Sequence, residues 1–186
     1  MTSQSWFVVL VLAVGAERIV ELVVSERNRR WSMARGGVES GLGHYPVMVV
    51  LHLGLLVGAL AEVFLAHRDF HARLGIPMLA LVLGAQVLRW WCITTLGRQW
   101  CTRIVVVPGL APVTGGPYRW LRHPNYVAVA VEGLALPLVH GAFFSALVFT
   151  VADTMLLRVR ISAEDEALRR LDEAGPRRSR TTDPVA

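Results

Sequence analysis

The run Gly116-Pro-Tyr-Arg-Trp-Leu-Arg-His-Pro-Asn-Tyr126 gathers two arginines, an imidazole and two phenols directly before the apolar segment Val127–Val139. Residues of these types bind anions and move protons. Pro124 suits the first turn of a helix, where its missing N–H costs nothing. The free N–H groups and positive dipole end of that helix would face an anion at the same point. A second pair, Arg160 and Glu164, is four residues apart and shares a face on any helix. The pair reads either as an ordinary surface ion pair of little weight or as a site where Arg160 orients an anionic oxygen.

The elements that must position these groups are apolar helices. Hydrophobic residues make up 54% of the 186-residue chain and mean hydropathy is positive, which is high for a soluble domain. Five stretches suit membrane spans, near Trp6–Val24, Pro46–Ala66, Ile76–Leu96, Pro124–Val139 and Ala142–Leu157. Only His140-Gly141 separates the last two, which predicts a tight helical hairpin. The expected fold class is therefore all-α and integral to a membrane, one domain over residues 1–174. A soluble bundle of greasy helices is the opposing reading. The tail 175–186, rich in Arg, is expected to be disordered and topogenic.

Every basic side chain that ionises strongly is arginine, and the nineteen are unevenly placed. Four lie between spans one and two (Arg27, Arg29, Arg30, Arg35), four between spans three and four (Arg98, Arg103, Arg119, Arg122), and seven follow span five. The loop between spans two and three has only Arg68 and Arg73. The positive-inside rule then predicts an outside N-terminus and a cytosolic C-terminus in a bacterial inner membrane. The net charge of +5 implies contact with anionic lipid, with no nucleic acid partner. Span one lacks a basic leader and runs through Glu17, Arg18 and Glu21, so it is expected to be retained. Cys92 and Cys101 lack metal-ligand spacing, so reduced structural thiols and no metal site are expected.

Counting about 1.5 Å per residue from each cytosolic end, Glu17, Arg18, Glu21, His52, Arg89, Glu132 and Asp153 fall in the inner half, with Glu62 near the outer end of its span. Intramembrane charges face one another or a cavity. The cluster suggests a pocket open to the cytosol, although Glu17, Arg18 and Glu21 can also snorkel. Matching depth makes Arg89–Glu132 a candidate ion pair near a substrate. His52, alone on an apolar helix, reads as an interhelical hydrogen bond. The connector from Gly97 to Leu121 is too long for a simple turn and favours a functional loop. Within it, Ile104–Val107 is either a short extended segment or a stretch on the lipid surface.

The pattern G-x-Y-x-x-x-R-H-P-x-Y, followed by Arg160-Ile-Ser-Ala-Glu164-Asp165 and Leu168, resembles the isoprenylcysteine carboxyl methyltransferase family over residues 94–171. Glu26-Arg-Asn28, Gly36-Gly-Val-Glu39 and His44-Tyr-Pro46 look like the bacterial branch that O-methylates alkylpyrones and alkylresorcinols. The resemblance implies S-adenosylmethionine as cofactor and a lipophilic or prenylcysteine substrate. It implies cofactor contacts at Leu110, Ala111, Pro112, Val113, Tyr118, His123, Pro124, Asn125, Tyr126 and Glu164. Arg160 corresponds to the substrate-facing arginine, and Arg160, Glu164 and His123 to the residues that would carry the chemistry. Leu110 stands where many relatives have His, and Asp165 where they have Glu.

A sulfonium donor needs no covalent catalyst; holding the nucleophile in line supplies much of the acceleration. A carboxylate acceptor is already ionised at neutral pH, whereas a phenolic hydroxyl with pKa about 10 needs a base. Candidate bases are His123, Glu164 and an ion-paired Glu132. Two other classes fit parts of the pattern. Membrane sterol and steroid reductases, which use NADPH, carry a similar R-H-P-N-Y run but follow it with Gly and an acid, where Val127-Ala128 stands here. A non-enzymatic membrane scaffold would not require the two paired motifs.

Overall fold

The structure, a computed structural model, describes residues 2–174. It is mostly helical: α1 (Ser3–Met33), α2 (Tyr45–Leu65), α3 (Ala72–Leu96), α4 (Pro124–Leu138) and α5 (Phe143–Ala174). The all-α expectation misses one feature. Strand β1 (Val38–Ser40) pairs antiparallel with β2 (Ile104–Val106), Glu39 opposite Val105. The run Ile104–Val107 is thus largely extended, and paired over Ile104–Val106. The expected tail, 175–186, lies outside the described residues.

Helices α2 and α3 begin and end close to their expected spans, and Tyr45–Leu65 and Ala72–Gln99 are long and apolar enough to cross a membrane. The other three do not meet that description. At about 1.5 Å per residue α4 is only about 22 Å long, and α1 and α5 carry buried charges along their length. Both are also longer than expected. Helix α1 continues past Val24 because Glu26 pairs with Arg29 at 2.8 Å and Arg30 at 2.9 Å, one turn on. Helix α5 runs unbroken past Leu157, so Asp153, Arg160 and Glu164 share one rigid rod.

Helix α4 is the central element. It buries Ala128, Val129, Glu132, Gly133, Ala135 and Leu136, and packs between α3 and α5. Only glycine fits at 133, because a Cβ there would overlap the Phe149 ring of α5. A four-residue link reverses the chain into α5, closed by Ala142 N–H on the Pro137 carbonyl at 2.9 Å. Around this link lies the apolar core of Phe7, Val11, Val14, Ala59, Val63, Val82, Leu136 and Val139. At about 25 cal/mol per Å², burial of these side chains fixes the helices at that end. The opposite end, where α4 begins, is polar.

Candidate functional site

The polar end is built by tying the connector to α1. Asn28 donates to the carbonyls of Gly97 (3.0 Å) and Trp100 (2.8 Å), and Ser25 Oγ accepts from the Thr102 N–H at 2.9 Å. Arg103 donates to Glu39 at 2.7 Å, pinning β2 to β1. The Glu26-to-Glu39 motifs therefore act in part as clamps on the connector. Gly116 then turns the chain with φ +54°, where a side chain would strike Thr95 Oγ1. The following 3-10 turn delivers Tyr118. Burial, followed by the influence of Cys92, pushes the Tyr118 phenol up, so it stays protonated as a donor.

Helix α4 starts at Pro124 as expected, and its first turn meets α5. Tyr126 donates its phenolic proton to Glu164 Oε2 at 2.7 Å. The His123 ring stacks on Tyr126 with centroids 5.5 Å apart, and its two nitrogens lie 3.7 Å from Glu164 and 3.5 Å from Asp165. Arg160 is 4% exposed and does not pair with Glu164. It donates to the Thr102 carbonyl at 2.6 Å, its guanidinium 5.8 Å from the Tyr126 ring centre. The surface-pair reading of Arg160–Glu164 is therefore excluded by burial and by a partner on the connector. Burial, with the charge of Arg160, also lowers the pKa of His44 on the neighbouring turn.

Deeper in, Arg89 donates to Glu132 at 2.8 Å and Arg18 donates to the same carboxylate oxygen at 3.2 Å. Arg18 also donates to Glu21 at 2.7 Å, and Glu17 accepts from Gln86 and Trp90. Glu21 is 3% exposed. These side chains join three helices and do not snorkel. His52 bonds back to the Met48 carbonyl of its own helix at 2.8 Å, and among the described residues the expected interhelical bond is absent. One turn supplied the acceptor that a neighbouring helix was expected to give.

A cavity of about 930 Å³ joins these parts. Leu110, Pro112, Val113, Tyr118, His123, Asn125, Tyr126, Arg160 and Glu164 border it, together with Arg89. Ala111, Pro124 and Glu132 are not on its wall. Pro124 packs inward in the first turn of α4, and Glu132 is turned into the arginine pair behind the lining. From the polar end the cavity continues between α1 and α2 along Leu12, Gly15, Leu56, Val57 and Leu60. Sequence reasoning did not foresee that apolar arm as part of the site, because its residues look like any lipid-facing helix.

The fold and cavity define a helical protein that joins a charged recess to an apolar channel. The chain belongs to the isoprenylcysteine carboxyl methyltransferase (ICMT) family, whose sequence profile matches residues 78–170. An uncharacterized protein of Bacillus subtilis, YpbQ, is 37% identical over 164 residues, covering 88% of this chain and 95% of the relative. An uncharacterized protein of Haemophilus influenzae is 26% identical over 157 residues, covering 84% and 91%. Family membership, together with the two helices of spanning length, points to a membrane protein and to methyl transfer as its chemistry.

Proposed function

We propose that the protein is an integral membrane O-methyltransferase that uses S-adenosylmethionine on the hydroxyl or carboxyl head of a lipophilic substrate. The observation that carries this is the continuous cavity, polar at Glu164, His123 and Tyr126 and apolar between α1 and α2. All five helices would then cross or enter the bilayer, with the polar end at the cytosol and the N-terminus outside.

The residues present fit the cofactor. Glu164 offers a carboxylate to an ammonium group, and the start of α4 with His123 suits a carboxylate. Asn125 Oδ1 is buried without a partner at the cavity wall. Leu110, Pro112 and Val113 supply an apolar shelf for a purine. S-adenosylmethionine bound there supplies an electrophilic methyl group on a sulfonium. The chain's own part is to hold the acceptor oxygen in line, with Arg160 orienting it and the apolar arm anchoring its tail.

Calorimetry of purified protein with S-adenosylhomocysteine and with NADPH tests the reading. Glu164→Gln and His123→Ala should each weaken S-adenosylhomocysteine about ten- to a hundredfold, the loss of a charged hydrogen bond worth about 1.5–3 kcal/mol. Tight NADPH binding without S-adenosylhomocysteine binding overturns it.

A further inference from the structure

Asp153 is the one carboxyl on the cavity wall with no hydrogen bond or ion pair among the described residues. It is 2% exposed, and its Oδ1 is buried and unpartnered. It borders the same cavity as Arg160, which lies seven residues further along α5, on the same face. Of the charges that act on Asp153, that of Arg160 is the largest. An unpartnered carboxyl at that depth is costly and marks a functional site.

The other acids have been taken. Glu132 accepts from Arg18 and Arg89, and Glu164 accepts from Tyr126. Glu21 accepts from Arg18 and lies 3.5 Å from Arg89. The charges that act on Asp153 are cationic, Arg160 on its own helix and Arg89 from α3; His52 from α2 borders the same cavity, its ring packed on Phe149 one turn before Asp153. Glu132 of α4 is masked by its two arginines, and Glu39 of β1 by Arg103. A bare carboxyl in this setting lacks a hydrogen-bond donor, which a neutral hydroxyl head supplies and a carboxylate head does not.

We propose that Asp153 receives the acceptor's proton, so the group methylated is a hydroxyl and not a carboxylate. The inference rests on the methyl-transfer reading. As the acceptor's O–H bond breaks, its proton passes to the Asp153 carboxylate and its oxygen bonds to the methyl carbon. The electron pair of the breaking carbon–sulfur bond stays on the sulfonium donor's sulfur, which becomes a neutral thioether. Arg160 and Arg89 offset the negative charge that develops on oxygen.

The first measurement needs no turnover. Cofactor-free protein should bind a long-chain alkylresorcinol about ten- to a hundredfold more tightly than its dimethyl ether, which has no proton to donate, and Asp153→Asn should abolish that preference. With donor present, Asp153→Asn should slow single-turnover transfer to the resorcinol about 10²–10⁴-fold. Ring-fluorinated resorcinols, which ionise more readily, should recover part of the loss. Retained S-adenosylhomocysteine affinity reports that the variant is folded and that the methyl-transfer reading stands. Transfer at the parental rate by Asp153→Asn, or an unchanged ether discrimination, overturns the proposal. So does faster transfer by the unmodified protein to a prenylcysteine carboxylate than to any resorcinol, whether or not the variant folds.

Discussion

At the α4–α5 link, Glu62 reaches from the last turn of α2 to the start of α5. It accepts there from the Phe144 and Ser145 N–H groups at 3.2 and 2.8 Å, from the Ser145 hydroxyl at 2.9 Å and from Arg68 at 3.1 Å. At the cavity, about two and a half helical turns further along α5, Asp153 accepts from nothing described. Both carboxyls pack against the same helix, Asp153 buried and Glu62 half-buried. The first satisfies N–H groups that every helix start leaves open, and negative charge is favoured at that end. The second has room beside it and no protein donor. A saturated acid at the link and an unsaturated one at the cavity separate what holds the bundle from what meets a ligand.

The largest expected effect falls on the cavity region. Arg160→Ala should reduce methyl transfer by about 10²–10³-fold, the usual scale for removing a group that stabilises developing charge. Cofactor affinity should hold within about threefold, because Glu164, His123 and the start of α4 are untouched. Arg160→Lys should restore little. Lysine can reach one oxygen, whereas the arginine fork can hold the Thr102 carbonyl and an acceptor oxygen together. Single-turnover transfer beside S-adenosylhomocysteine calorimetry checks both halves. Parental rates in Arg160→Ala would leave that residue a brace for the connector and nothing more.

The link region should respond in the opposite way. Glu62→Ala removes the acceptor of two helix-terminal N–H groups, a loss of about 2 kcal/mol. Thermal unfolding in detergent should shift down by about 4–8 °C. The variant should keep its S-adenosylhomocysteine affinity, since Glu62 does not border the cavity. A loss of binding larger than the loss of stability would erase the division between the two regions.

How much of this was legible depended on whether the cause was local. Helices α2 and α3 follow from unbroken apolar runs, and the start of α4 from His123-Pro124. The pairing of β1 with β2 was hidden because three-residue strands carry no readable period, and Val38–Ser40 finds its partner sixty-odd residues away. The matching depths of Arg89 and Glu132 did anticipate their contact. They could not reveal that Arg18 shares the same carboxylate, since that depends on how α1 is rotated. Arg160 and Glu164 share a face as spacing requires, yet each chose a partner from another element. Depth alone placed Asp153 in the inner half with six other polar residues. Its lack of a partner is a fact of packing.

The smallest effect sharpens the contrast from outside both regions. Glu26, on the stretch of α1 beyond the expected span, accepts from Arg29 and Arg30, and these hydrogen bonds hold its carboxyl at about 2, below an ordinary value of 4.5. A depressed carboxylate pKa means that the folded state binds the proton less readily than the unfolded one. The stabilisation is therefore fully present above about pH 4.5 and is lost as pH falls toward about 2. Glu26→Gln should unfold slightly earlier than the parent at pH 6, and the two curves should converge as pH approaches 2. Because the pair faces water, added salt should shrink the difference at pH 6. Salt should leave the effect of Glu62→Ala nearly intact, because most of that loss comes from backbone donors left without an acceptor. An equal response of the two variants to salt would mean that Glu62 too acts through exposed charge, and the link would lose its claim to be a helix cap.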